Sequence, residues 1–153
     1  DPASVIYIMR KRGLSLDEMN NRMNKQSGIL GIFGESSDFR DLDAARRSGN
    51  EKAQLAYEMF CYRIQLYIGA YVAAMNGVDA IAFTGGIGEN SVGVKKHICE
   101  SLSYFGIELD EEKNAQRLPG NVELSTKNSK VKIYKIETAE ELVIARDTYR
   151  LTK

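Results

Sequence analysis

The sequence predicts a mixed α/β domain, and three observations carry that prediction. A long segment opening at Asn50 repeats apolar residues at helical spacing. A short apolar run at 79–84 is stopped by Gly85-Gly86, and a second at 131–136 leads through a polar turn into another helical pattern. At 153 residues the chain suits one compact domain, since domains most often run to roughly 100–150 residues. Its 43% hydrophobic content supplies a sizeable core.

The elements follow in order. Asp1 before Pro2 reads as an N-cap with proline in the first turn, Val5, Ile6, Ile8 and Met9 give that helix an apolar face, and Gly13 stops it. Ser15 and Glu18 have capping-box spacing and open a second helix carrying Leu16, Met19 and Met23, with Gly28 as its stop. An apolar piece at 29–33 passes through Gly34 into Glu35-Ser36-Ser37-Asp38, a polar turn that caps a short helix from Phe39 to Arg47. In the long helix after Asn50, the residues Leu55, Met59, Tyr62, Leu66, Ala70 and Ala73 are expected to form one buried stripe, and Gly77 ends it.

The run at 79–84 is expected to be a buried strand, followed by a glycine turn and a helix marked by Val92, Val94, Ile98 and Leu102. Ile107 and Leu109 alternate with acids as a brief edge strand would, 110–116 is a polar helical turn closed by Pro119-Gly120, and Val131, Ile133 and Ile136 mark a further strand. Thr138 and Glu141 form a second capping box, starting a last helix with Leu142, Ala145 and Tyr149 inward.

Composition excludes several classes. Basic and acidic residues balance at 21 each, which argues against a nucleic-acid or anionic-membrane binder. No run approaches the roughly 20 apolar residues of a membrane span, and Asp1-Pro2-Ala3-Ser4 has no signal-peptide character, so the expected compartment is the cytoplasm. Cys61 and Cys99 lie in helical patterns without CxxC spacing and are expected to be buried thiols. The chain does not begin with methionine, and we expect it to be a piece of a longer one.

Chemistry concentrates in three segments. Thr84-Gly85-Gly86-Ile87-Gly88-Glu89-Asn90 joins a strand to a helix. Glycines there allow either a plain tight turn or close backbone approach to a flat or anionic ligand at the carboxyl end of a strand. The segment matches neither a phosphate-loop lysine pattern nor GxGxxG. Ser36-Ser37-Asp38-Phe39-Arg40-Asp41 is either a helix cap with a solvated ion pair or a group that holds a ribose and stacks arginine on a base. Glu140 and Glu141 are either dipole-matched carboxylates or ligands for Mg²⁺ completed by a nucleotide. His97, the single histidine, has no partner pattern for a hydrolase triad. Arg46-Arg47 and Lys95-Lys96 read as solvated helix faces, and the tyrosines Tyr57, Tyr62, Tyr67 and Tyr71 as core or subunit contacts.

Taken in order, these segments resemble the C-terminal half of the acetate kinase family. The matching pieces are Asp1-Pro2-Ala3, Ser27-Gly28-Ile29-Leu30-Gly31-Ile32, Ser36-Ser37-Asp38-Phe39-Arg40-Asp41, Tyr67-Ile68-Gly69-Ala70-Tyr71, Phe83-Thr84-Gly85-Gly86-Ile87-Gly88-Glu89-Asn90, Gly106-Ile107-Glu108-Leu109-Asp110, and Thr138-Ala139-Glu140-Glu141-Leu142 with Ile144-Ala145-Arg146. They cover essentially the whole chain, and the FTGGIGEN stretch is the most specific. The resemblance implies a ribonuclease H-like domain of the actin, sugar-kinase and heat-shock-ATPase type, a mixed sheet flanked by helices. It implies that residues 1–153 are the C-terminal nucleotide-binding domain of a two-domain kinase whose N-terminal domain is absent. It further implies that Asp38, Phe39 and Arg40 contact adenosine, that Gly86, Ile87, Gly88, Glu89 and Asn90 close the nucleotide pocket, and that Glu140 helps hold Mg²⁺.

Ala139 departs from the asparagine that many members place before the glutamate pair. The acyl pocket, the catalytic aspartate and the phosphoryl-stabilising histidine and arginine have no counterpart in this chain, so the piece alone is expected to be inactive. The implied partners are ATP or ADP, acetate or acetyl phosphate through the missing half, and a second copy in a homodimer, with neither nucleic acid nor membrane. Two alternatives remain: a structural or dimerisation domain without activity of its own, and half of a propionate or butyrate kinase.

Overall fold

The computed structural model describes all residues, Asp1–Lys153. They pack as two compact units, Asp1–Phe60 and Cys61–Lys153, with the division falling inside one long helix.

The first unit is helical. Helix α1 (Pro2–Arg12) is capped as expected, with the Asp1 carboxylate accepting from the Ala3 amide at 2.8 Å and Gly13 closing it at φ 64°. Its apolar residues are not a core in this chain, because no residue of α1 is buried. Helix α2 (Leu16–Lys25) starts on the expected capping box, Ser15 and Glu18 each satisfying the other's amide. It ends at Gln26 rather than at Gly28. Gly28 instead begins the short helix α3 (Gly28–Phe33), so the apolar piece is helical. Helix α4 (Phe39–Arg47) has the predicted bounds and the predicted Asp38 cap. Met19, Phe33, Leu42, Ala53, Ala56 and Tyr57 are the buried apolar residues of this unit. Leu42 is completely enclosed, a burial that stabilises by about 2 kcal/mol.

The long helix α5 (Glu51–Met75) has the expected extent but buries the other face. Ala53, Ala56, Tyr57, Cys61 and Val72 are enclosed, while Leu55, Met59, Tyr62 and Leu66 are 44–57% exposed and Ala70 and Ala73 are exposed as well. The helix is apolar on more than one side, so periodicity alone could not say which side this chain covers.

The second unit is built on a mixed three-stranded sheet in the order β1-β3-β2. Strand β3 (Lys132–Lys135) runs parallel to β1 (Ala80–Phe83), in register from Ala80 opposite Lys132 to Phe83 opposite Lys135. The two-residue β2 (Val122–Glu123), which periodicity did not reveal, pairs with β3 in the antiparallel sense. β1 is an edge strand and only Phe83 of it is buried, contrary to the expected buried strand. The central position belongs to β3, where Ile133 has no exposure.

Helices α6 (Gly85–Asn90), α7 (Val92–Ser101), α8 (Glu111–Gln116) and α9 (Glu140–Thr152) complete the unit, with a 3-10 turn at Ser103–Phe105. Val94, Ile98, Cys99, Leu102, Ile107, Leu124 and Val131 join Phe83 and Ile133 in its core. The expected edge strand at Ile107 and Leu109 reduces to one antiparallel bridge from Leu109 to Ser125. Helix α9 also differs. Ala139 takes its N-cap position without a side-chain bond, so the Thr138/Glu141 capping box does not form, and none of its residues is buried. Leu142 and Tyr149 are 47% and 61% exposed rather than inward. Both cysteines are buried and neither forms a disulfide. No helix is long and apolar enough to cross a membrane.

Candidate functional site

In the first unit, the turn ahead of α4 is a local cluster of charge. Asp38 Oδ1 accepts from the Arg40 amide at 2.8 Å, and the Arg40 guanidinium returns to the same carboxylate, Nη2 to Oδ2 at 2.6 Å and Nε to Oδ1 at 3.1 Å. Bonding from the guanidinium, and then from the amide, holds the Asp38 carboxyl down at about 2. Ser36 donates its hydroxyl to Asp41 at 2.6 Å and accepts from the Asp38 amide at 3.0 Å, which fixes the turn. The Arg40 side chain is 91% exposed, so its planar face is open to stack on a flat ring. Phe39 is half-buried with its ring 5.9 Å from that of Tyr57 and 5.0 Å from that of Phe60, which anchors the start of α4.

In the second unit, the glycine segment is a six-residue helix, α6, where a simple turn was expected. Gly85 enters it at φ 70°, a conformation that favours glycine. Gly88 is favoured for a different reason. A Cβ there would lie 3.2 Å from the carbonyl carbon of Phe83, a tight contact that the end of β1 would have to yield by a few tenths of an ångström to admit. Gly86 has open space around it and is exposed, and Ile87 is half-buried. Asn90 is exposed and donates its side-chain amide to the Gly86 carbonyl at 2.9 Å.

Two further groups hold α6. The first is Lys95 of α7, whose ammonium donates to the carbonyls of Gly88 and Glu89, both at 3.0 Å. These are among the carbonyls that a short helix leaves without a partner at its C-terminus. Lys95 is 2% exposed, so the solvated basic face expected for Lys95-Lys96 holds for Lys96 alone, which pairs with Glu100 and Glu111. Burial, reinforced by the neighbouring charges of Lys135 and Arg117, lowers Lys95 to about 8. The sequence carried a signal for this: Lys95 falls in the apolar rhythm of Val94, Ile98, Cys99 and Leu102. The second group is Thr138. Its amide and hydroxyl both donate to Oε1 of Glu89, at 2.9 and 2.8 Å, and these two bonds are the main reason the Glu89 carboxyl lies below its usual range.

Thr138 stands two residues before Glu140, so the structure brings the start of α9 to α6. Glu140 and Glu141 are exposed in the first turn of α9. No group of three or more His, Cys, Asp or Glu in the chain is arranged to hold a metal ion by itself. The exposed carboxylate of Glu140 suits an ion that takes its remaining ligands from phosphate oxygens and water, as Mg²⁺ commonly does.

Known proteins resemble this chain along its full length. A sequence profile of the Acetokinase family matches residues 1–146. The acetate kinase of Fusobacterium nucleatum is 58% identical over 153 residues, and that of Heliobacterium modesticaldum 53% over 153 residues. In both cases the match takes in 100% of this chain and 38% of the relative, so the chain spans little more than a third of the curated relatives it matches. Among solved structures, the acetate kinase of Porphyromonas gingivalis superimposes with a TM-score of 0.88 at 40% identity, covering 100% of this chain and 38% of that one. A propionate kinase from Francisella tularensis superimposes with a TM-score of 0.84 at 39% identity, covering 95% of this chain and 36% of that one. The mixed sheet flanked by helices is thus the expected fold class, and the chain belongs to the acetokinase family.

Proposed function

We propose that the protein to which this chain belongs transfers the γ-phosphoryl group of ATP to acetate, reversibly, and that residues 1–153 are its C-terminal nucleotide-binding domain. An oxygen of the acetate carboxylate bonds to the γ-phosphorus while the bond from that phosphorus to the ADP oxygen breaks, giving acetyl phosphate and ADP. The observation that carries this reading is identity above 50% with acetate kinases along the whole chain.

Asp38 and Arg40 would contact the adenosine, with Phe39 seating them, and residues 86–90 would approach the phosphates. Gly85 and Gly86 support that approach, because a side chain at either position would meet nothing within 4 Å and both leave that side of α6 free of bulk. Glu140 would help hold Mg²⁺, which when bound neutralises charge on the phosphate oxygens. Phosphoryl transfer depends on positioning and on cations around the reacting phosphate, so this chain alone would bind without turning over. We place the parent protein in the cytoplasm.

The exposed face of α5, with Leu55, Met59, Tyr62 and Leu66 outward, supports a homodimer formed through this half. Sedimentation of the parent protein would then give a dimer, and a concentration-independent monomer would contradict it. The same face supports the more modest reading of a structural and dimerisation domain without useful ligand affinity.

The acceptor acid is tested by a panel of acetate, propionate and butyrate on the full-length protein with Mg-ATP, trapping the acyl phosphate. Acetate is expected to give the highest kcat/KM. Failure of all three acids would overturn the kinase reading, and a preference for propionate would overturn only the choice of acid.

A further inference from the structure

We propose that Glu89 is a positioning residue, which ties the glycine helix α6 to the start of α9 through Thr138 and so holds segment 86–90 and the Glu140 carboxylate in one register. The inference rests on reading these two segments as nucleotide and divalent-ion contacts, and it adds the device that sets one against the other.

Four observations carry it. Glu89 Oε1 accepts both donors of a residue 49 positions away, the amide and the hydroxyl of Thr138. Glu89 is in turn fixed at its main chain, because the buried Lys95 ammonium holds its carbonyl and that of Gly88. Helix α6 needs such outside support: it is six residues long, rich in glycine, and has no buried residue. Helix α9 has the same need, since Ala139 gives it no side-chain cap and Thr138, the nearest residue able to provide one, spends its hydroxyl on Glu89.

The chain leading to α9 is pinned step by step. The Ile136 amide bonds the Phe83 carbonyl at 2.9 Å, the Glu137 amide bonds Asn121 Oδ1 at 3.0 Å, and the Thr138 amide bonds Glu89. Glu89 is therefore the last fixed point before Glu140. A carboxylate engaged by two donors on one oxygen is suited to orienting a neighbour, whereas the same charge turned towards phosphate oxygens would repel them.

The test uses the full-length protein with Glu89→Ala, Glu89→Gln, Thr138→Val, Thr138→Ser and the double variant Glu89→Ala/Thr138→Val. Glu89→Ala is expected to raise both the KM for Mg-ATP and the Mg²⁺ concentration giving half-maximal rate by about tenfold, leaving the KM for the acceptor acid unchanged. Thr138→Val, which keeps the amide bond, moves the same two quantities less. Glu89→Gln and Thr138→Ser retain acceptor and donor and return both towards wild type, and the double variant is no worse than Glu89→Ala.

A second readout needs no turnover. Without nucleotide, Glu89→Ala speeds amide hydrogen exchange at 138–142 and in α6 together. The proposal is overturned if Glu89→Ala weakens nucleotide binding with exchange at 138–142 unchanged and Thr138→Val silent, since Glu89 would then contact the nucleotide directly. Full additivity in the double variant overturns it as well. A wild-type parent that makes no acyl phosphate sinks the kinase reading, while the exchange experiment still decides the tie.

Discussion

Replacing Lys95 with methionine separates the cost of burying a charge from the value of what that charge holds. Lowering the lysine from 10.5 to about 8 corresponds to a penalty of about 3 kcal/mol for keeping it charged inside the fold, at roughly 1.4 kcal/mol per tenfold shift in protonation. Methionine has a similar reach and removes that penalty. It also leaves the Gly88 and Glu89 carbonyls without their donor, at about 1–3 kcal/mol each. The two effects oppose each other, so global stability is expected to change by no more than about 3 kcal/mol.

The loss should appear locally, as looser α6 and weaker Mg-ATP binding, with Lys95→Arg restoring part of it. The pH dependence gives the sign. Between about 8 and 10.5 the unfolded chain holds a proton that the folded chain has released, so wild-type stability rises relative to Lys95→Met as pH climbs through that window. Below about 8 the full penalty is present and the difference is constant. Melting curves of both full-length proteins from pH 7 to 10.5, paired with calorimetric titration of Mg-ATP, make the comparison. A stability difference that stays flat across the window, or Lys95→Met with unaltered nucleotide affinity, would refute this reasoning.

Other expectations follow from the same geometry. Gly88→Ala places a methyl 3.2 Å from the Phe83 carbonyl carbon, and should lower stability by about 1–3 kcal/mol and weaken nucleotide binding. Gly86→Ala meets nothing within 4 Å and should leave the melting temperature near wild type, so that any loss of Mg-ATP affinity there reports a ligand contact. In acid, the Asp38 cap and ion pair contribute stability that is complete above the ordinary aspartate value of 3.8 and is lost as pH falls through about 2. Arg40→Ala should move the Asp38 carboxyl back towards 3.8, as followed by its carboxyl NMR resonance.

What could be read from the sequence was what neighbouring residues decide among themselves. The Asp38 cap sets the bounds of α4, and Ser15 with Glu18 sets the start of α2, because each cap bonds an amide two or three residues away. Thr138 shows where that logic stops. It has capping-box spacing to Glu141, but Glu89 arrives from a distant part of the chain and takes its donors. Strand β2 is two residues long and has no period to detect. The stripe on α5 is legible as apolar, yet this chain leaves it exposed, since hydrophobicity states what prefers burial and not which partner supplies it. Lys95 reads as part of a solvated face because its charge favours solvent, although its position along α7 points inward, where the structure places it.

The most direct test of the central claim is a calorimetric titration of the full-length protein with Mg-ATP, repeated on Arg40→Ala. Saturable binding that weakens markedly in the variant is the result predicted for a nucleotide held in part by the Asp38 and Arg40 turn. Absence of Mg-ATP binding in the wild type, or equal affinity in both proteins, would contradict it.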